Sequence, residues 1–206
     1  MRRGVLITGF EPFGGESLNP SGEVAQALHG EEIAGRPVVG LVLPVVFGLA
    51  GERLATALRD YDPEIVICLG LAANRTAISL ERVAINVDDA RIADNGGQQP
   101  IDQPIVADGP AAYWSTLPIK AMRSRLEAAG FAAEISQSAG TYVCNHVFYG
   151  LMHALTQRSA VRGGFVHIPR ATGNFDASRL KAAIHLAAAT ALTEQEDYRE
   201  GGGAIS

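Results

Sequence analysis

Short apolar runs rich in β-branched residues alternate along this chain with longer segments of helical periodicity. Val5-Leu6-Ile7-Thr8 reads as a buried strand that stops at Gly9, and residues 21–29 read as a helix with Ser21 as its cap. Val38 to Leu43 is a second strand, halted by Pro44. Leu49, Arg53, Leu54, Ala57 and Leu58 recur at helical spacing over residues 48–59, and Asp62-Pro63 breaks that helix. Glu64 to Leu69 is a third strand, ending at Gly70. These strands are continuously apolar rather than alternating, as expected of a sheet covered on both faces.

The middle of the chain is less regular. Ile78 to Val87 reads as extended, and residues 88–113, with Asn95-Gly96-Gly97 and three prolines, read as a long irregular excursion. Such excursions in compact domains are often functional. Beyond it the spacing predicts a helix over 116–129 ended by Gly130, a strand over 132–136, a helix over 145–156, a strand over 164–168 and an alanine-rich helix over 177–192. The tail from about residue 199, with Gly201-Gly202-Gly203-Ala204, is expected to fray. There is no internal repeat and no linker, so residues 1–206 are expected to form one domain. The order of elements implies a three-layer α/β sandwich with a mostly parallel central sheet. Sites in such folds form at the carboxyl ends of the strands.

Composition narrows the functions. With 17 basic and 22 acidic side chains the net charge is −5, and there is no basic run. Nucleic acid and anionic membrane surfaces are therefore poor partners. No segment approaches the roughly 18 consecutive apolar residues of a membrane span, and the short apolar stretch after Arg2-Arg3 is too brief for a signal peptide. The two cysteines, Cys68 and Cys144, make neither a disulfide framework nor a metal-binding spacing, so a reducing cytoplasm and no metal are expected.

Three strand or helix ends carry groups that could do chemistry. The first strand opens into Gly9-Phe10-Glu11-Pro12-Phe13-Gly14-Gly15. This loop lacks the Lys and Ser or Thr of a phosphate loop, and Glu16 would repel a phosphate. It is either a surface turn or, through Phe10 and Phe13, the wall of a small apolar pocket. Cys144 lies where an irregular segment enters the helix of residues 145–156. A helix start can lower a thiol pKa and offers a backbone N–H to an oxyanion. The plain alternative is a buried inert cysteine, the part Cys68 plays within Ile65 to Leu69. Of the five histidines, only His167 stands at the end of a strand, where a site would form. Glu81 is an acid within the apolar run Ile78 to Ile85, and a buried carboxylate requires a partner. Arg82 and Arg91 are candidate partners. His167 is another, because an imidazole that acts as a base needs an orienting acceptor.

Four islands, in order, are Thr8-Gly9-Phe10-Glu11-Pro12-Phe13-Gly14-Gly15 with Asn19-Pro20-Ser21, Glu81-Arg82-Val83-Ala84-Ile85-Asn86, Ala139-Gly140-Thr141-Tyr142-Val143-Cys144-Asn145, and His167-Ile168-Pro169. Together they resemble the pyroglutamyl peptidase I family of cysteine peptidases over nearly the whole chain. The resemblance implies a fold like that of purine nucleoside phosphorylases and a Cys144, His167, Glu81 triad. It implies removal of an N-terminal 5-oxoproline from peptide substrates, with no cofactor or metal. It also implies a ring pocket of Phe10, Phe13, Ile92, Tyr142 and Val143, with Asn19 on the lactam and Arg91 and the Cys144 N–H on the oxyanion. Family members are commonly tetramers, so a homo-oligomer is expected, and the apolar Ile101, Ile105, Val106, Tyr113 and Trp114 in and beside the excursion either form an interface or fold back on the chain's own core. The chain departs from the family's usual Gly-Gln-Ala-Gly-Gly-Arg at Gly70-Leu71-Ala72-Ala73-Asn74-Arg75, which sets Leu71 beside the pocket, and at Leu80, where proline is common. The competing function is a non-hydrolytic lactam- or nucleoside-binding protein on the same fold.

Overall fold

A computed structural model describes residues 3–203. The order of elements is β1 (Val5–Phe10), α1 (Pro20–Leu28), β2 (Glu32–Ile33), β3 (Arg36–Leu43), α2 (Leu49–Tyr61), β4 (Ile65–Leu71), β5 (Ile78–Glu81), β6 (Val83–Ile85), β7 (Ala112–Trp114), α3 (Ile119–Ala128), β8 (Ala133–Ser136), α4 (Val143–Leu155), β9 (Arg162–Ile168) and α5 (Ala177–Thr193). The main sheet has the order β2-β3-β1-β4-β9-β5-β8, and β6 and β7 form a separate pair. Neighbours are parallel except at two places, where β2 runs against β3 and β5 runs against β9.

Side chains of alternate residues fill two cores, one on each face of the sheet. Val5, Ile7, Ile65, Ile67, Val166 and Ile168 pack beneath α1, α3 and α5. Leu6, Val66, Cys68 and Phe165 pack beneath α2 and α4. The mostly parallel three-layer α/β architecture is thus the expected one. Gly9 lets α1 lie against the end of β1, because a Cβ there would collide with the Ser21 carbonyl.

Several local expectations change. Asn19, not Ser21, caps α1: its Oδ1 accepts from Ser21 N at 3.1 Å, and Pro20 takes the first turn, where a missing N–H costs nothing. Ser21 faces inward and its Oγ accepts from Phe10 N at 3.0 Å. The extended run Ile78 to Val87 splits at Arg82 into strands of two different sheets. Beyond α5 the Gly202 carbonyl accepts from Arg82 at 2.8 Å, and Glu200 pairs with Arg123 at 2.7 Å. Met1, Arg2 and the end of the tail from Ala204 lie outside the described residues.

Candidate active site

The residues singled out by type converge on one end of the sheet. His167 is the next-to-last residue of β9 and is in register with Gly70 of β4. Both lie on the sheet face that α4 covers, two residues beyond Phe165 and Cys68 respectively. Cys144 stands in the first turn of α4 and drops its thiol onto this face. A Cβ built on Gly70 would lie 2.9 Å from Cys144 Sγ and 2.9 Å from two carbons of the Phe165 ring. Glycine at position 70 therefore makes the room in which the thiol rests, next to the strand position paired with His167. Gly70→Ala is expected to cost about 1–3 kcal/mol through overpacking and to lower turnover about 100-fold by displacing the thiol. Melting temperature and turnover, measured together, check it; normal turnover would mean that the thiol does not work from this position.

The reversal of strand direction between β9 and β5 brings in Glu81. Ser79 pairs with His167 and Glu81 pairs with Phe165, so Glu81 and His167 are diagonal neighbours on one face. His167 Nδ1 lies 2.7 Å from Glu81 Oε1. Glu81 is fully buried and His167 is 5% exposed. A carboxylate accepts, so Nδ1 carries the proton in this contact, which leaves Nε2 as the nitrogen that can act as a base in the neutral imidazole. The arginine partner of Glu81 is neither Arg82 nor Arg91 but Arg75, whose Nη1 donates to the same Oε1 at 2.7 Å. Arg82 points the other way, toward Gly202. Leu80, on the opposite face from Glu81, packs in the core with Ile78 and Val166, so the residue that stands in place of proline leaves the carboxylate's face untouched.

The electrostatics of the thiol reverse one expectation. Cys144 as a residue keeps some open surface, but its sulfur lies down against Gly70. Burial pushes its pKa up to about 12, the Glu81 carboxylate adds to the rise, and the Arg75 guanidinium opposes it. The start of α4 was expected to lower this value; enclosure wins because the helix end acts over one turn whereas the whole surroundings desolvate the sulfur. Cys68, inside β4, is likewise raised to about 12 by burial.

Aromatic rings wall the approach. Phe13 and Phe47 lie 6.2 Å and 5.4 Å, centroid to centroid, from Tyr142, and Phe10 lies 6.5 Å from Phe165. The Tyr142 hydroxyl donates to Ala93 O at 3.1 Å, and its pKa is raised by burial first and then by Asp94 and Cys144. A cavity of about 600 Å³ opens here, lined by Phe13, Arg91, Ile92, Ile101 and Tyr142 among others. Phe10 and Val143 are buried in the core beneath it, and Leu71 ends β4, half-buried and in register with Ile168. Asn19 is buried and largely committed: besides capping α1 it donates through Nδ2 to Glu11 O at 2.9 Å. One Nδ2 proton remains.

The motifs also hold residues whose tasks were not foreseen. Asn145 is fully buried; its Nδ2 donates to Ile85 O at 2.9 Å and Val87 O at 3.0 Å, and its Oδ1 accepts from Ile85 N at 3.1 Å. It joins the segment after Glu81 to the helix of the thiol. Asn86 holds the excursion through Val106 and Gly109. Outside the motifs, in the excursion, Asp94 accepts from Phe47 N at 2.8 Å, beside the edge-on packing of Phe47 against Tyr142. These are side-chain to backbone bonds between distant segments, and no local spacing announces them. Among the described residues no group of three or more His, Cys, Asp or Glu side chains has the proximity to hold a metal ion, and no helix is long and apolar enough to cross a membrane.

A family model described as pyroglutamyl peptidase matches residues 3–181. A pyrrolidone-carboxylate peptidase of Klebsiella pneumoniae is 53% identical over 98% of this chain and 98% of its own length. One from Bacillus cytotoxicus is 50% identical over 97% of each. The crystal structure of pyroglutamyl peptidase I from Bacillus amyloliquefaciens superposes with a TM-score of 0.93 at 40% identity, covering 98% of this chain and all of that one at 100%.

Proposed function

Because the chain belongs to the pyroglutamyl peptidase family, we propose that it removes N-terminal 5-oxoproline from peptides with Cys144 as nucleophile, His167 as base and Glu81 as the acceptor that orients His167. The observation that carries this reading is the buried 2.7 Å contact of His167 Nδ1 with Glu81 Oε1 beside the Gly70 recess that receives the Cys144 thiol. His167 Nε2 takes the thiol proton as sulfur attacks the pyroglutamyl carbonyl carbon. The raised Cys144 pKa makes this transfer part of the attack rather than a step completed beforehand. The oxyanion meets the Cys144 N–H at the start of α4, where Tyr142 supplies no side-chain cap, and Arg91. His167 then protonates the departing amine, and a thioester remains. Water adds to it, His167 takes the water's proton, and free 5-oxoproline leaves as the thiol reforms.

The ring binds against Phe13, Ile92 and Tyr142, with Phe10 and Val143 packed behind them as the floor of the slot. The remaining Asn19 amide proton donates to the lactam carbonyl, and the Leu71 backbone carbonyl accepts from the lactam N–H, a task that tolerates leucine in place of a polar side chain. A lactam has no free amine, so an apolar slot with few polar groups recognises it better than a carboxylate anchor would. Residues 1–206 act as one catalytic domain in a reducing cytoplasm that keeps Cys68 and Cys144 free. The chain assembles as a homotetramer, and the exposure of Ile101 at 68% and Trp114 at 67% supports a buried role for that surface. A monomeric mass by light scattering at micromolar concentration would reject the assembly.

The test of the function is release of a chromogenic amine from a pyroglutamyl amide. Turnover is expected to survive exhaustive chelation and to vanish after iodoacetamide. Loss on chelation, restored by zinc, would rule out the thiol mechanism, and tight lactam binding without turnover would support the non-hydrolytic alternative.

A further inference from the structure

Two cationic or proton-bearing donors meet at one oxygen in the buried site. Glu81 Oε1 lies 2.7 Å from both His167 Nδ1 and Arg75 Nη1, whereas Glu81 Oε2 is buried with no partner among the described residues. The second arm of Arg75, Nη2, donates to Ser138 O at 3.0 Å. Arg75 belongs to the loop after β4, and Ser138 to the segment that leads through Gly140 to Cys144. One guanidinium thus ties the carboxylate to the strand that ends at the thiol's recess and to the approach to the thiol's helix. We propose that Arg75 is a positioning residue for hydrolysis, holding the Glu81 carboxylate on His167 and balancing its charge so that His167 waits as a neutral base. This rests on the Cys144, His167, Glu81 reading above.

The physical case has two parts. The first is geometric. A carboxylate with one unpartnered oxygen can rotate about its last torsion, and the planar fork of arginine resists that rotation because both of its arms are engaged. The second is electrostatic. A fully buried carboxylate with no cation beside it favours an imidazolium as its partner, and a protonated His167 cannot take a proton from Cys144. With Arg75 present, the carboxylate's charge is already met. The other titratable groups around the pair are Cys144 on α4, Cys68 on β4, and Glu134 on β8. Glu134 is turned to Ser79, whose Oγ donates to it at 2.6 Å. None of these supplies a positive charge, and Arg75 is the cation in contact with Glu81 among the described residues.

The experiment compares wild type, Arg75→Gln and Arg75→Lys on a pyroglutamyl amide across pH 5–9, with melting temperatures. Arg75→Gln is expected to move the acidic limb of kcat/KM upward by about one pH unit, because the base form of His167 is then reached only at higher pH. Arg75→Lys keeps the charge but loses one arm. Its acidic limb is expected to stay in place while kcat falls roughly three- to tenfold and KM changes less than about twofold. A lowered melting temperature with an unmoved acidic limb in Arg75→Gln would make the arginine a scaffold and overturn the proposal. If Arg75→Gln does not fold, Arg75→Lys decides alone: a displaced limb or an unchanged kcat overturns it. Failure of the underlying reading looks different, since wild type would then not cleave the amide or Cys144→Ser would retain turnover.

Discussion

Replacing Cys144 by serine is expected to lower turnover of a pyroglutamyl amide by roughly 10⁴- to 10⁶-fold, while Cys68→Ser keeps its turnover per folded molecule within about twofold. The two thiols differ in position, not in kind. Cys68 is inside β4 and fully buried, with the Thr8 hydroxyl beside it and no histidine in its strand pairings. A serine there exchanges a buried sulfur for a smaller, more polar group, and even with Thr8 as its partner the variant is expected to melt earlier, by about 1–2 kcal/mol of lost stability. Cys144 rests over Gly70, the strand position paired with His167, and near enough to Glu81 for the carboxylate to act on its thiol; under the proposed mechanism a serine there offers a far less acidic and less nucleophilic group to His167. A dead Cys68→Ser with an active Cys144→Ser would overturn the assignment. The pH dependence of alkylation adds a sign that can be checked. Burial, reinforced by Glu81, raises the Cys144 thiol to about 12, so the thiolate fraction of the resting protein grows about tenfold per pH unit through the neutral range. Inactivation by iodoacetamide is expected to accelerate continuously from pH 7 to 9. A plateau already reached at pH 7 would mean that the resting thiol is ionised.

Glu81→Gln is expected to cut turnover by a few hundred- to ten-thousand-fold, as carboxylate removal does in other triads. Glutamine can still present an oxygen to His167 and Arg75, with its amide nitrogen in the place of Oε2, which has no hydrogen-bond partner among the described residues. The larger loss is charge. The imidazolium formed during attack would face a neutral amide and, next to it, the Arg75 guanidinium with no carboxylate to meet it. The variant is therefore expected to lose both melting temperature and turnover, yet to bind pyroglutamyl ligands, since the aromatic wall is built from other residues. A destabilised variant with near-normal turnover would reduce Glu81 to a structural partner of Arg75 and refute its orienting role.

The hydrophobic pattern specifies the local elements. Continuous apolar runs bounded by Gly or Pro mark β1, β3, β4 and β9, and 3.6-residue spacing marks the five helices, because burial of a strand or a helix face leaves its period in the chain. Strands without a period were not legible. Glu32–Ile33 and Ala112–Trp114 are too short to show one and exist because a neighbour's hydrogen bonds are there to be met. The chemical types of the site were legible where Cys144 and His167 stand at element ends and where Glu81 interrupts an apolar run, and the family's motifs joined them. The tertiary structure alone decided how they meet. Strand β5 runs against β9, which makes Glu81 and His167 diagonal neighbours, and strand direction depends on where the chain returns rather than on which residues form the strand. Arg75 went unread because an arginine in a polar loop looks like any solvated charge until Glu81 and the Ser138 carbonyl arrive from elsewhere in the chain. Asn19 and Ser21 are both acceptable caps by type, and only the packing of α1 on β1 chose between them. The thiol's pKa changed direction for the same reason. A helix end is a property of a few consecutive residues, whereas desolvation is exerted by every segment that closes over the sulfur.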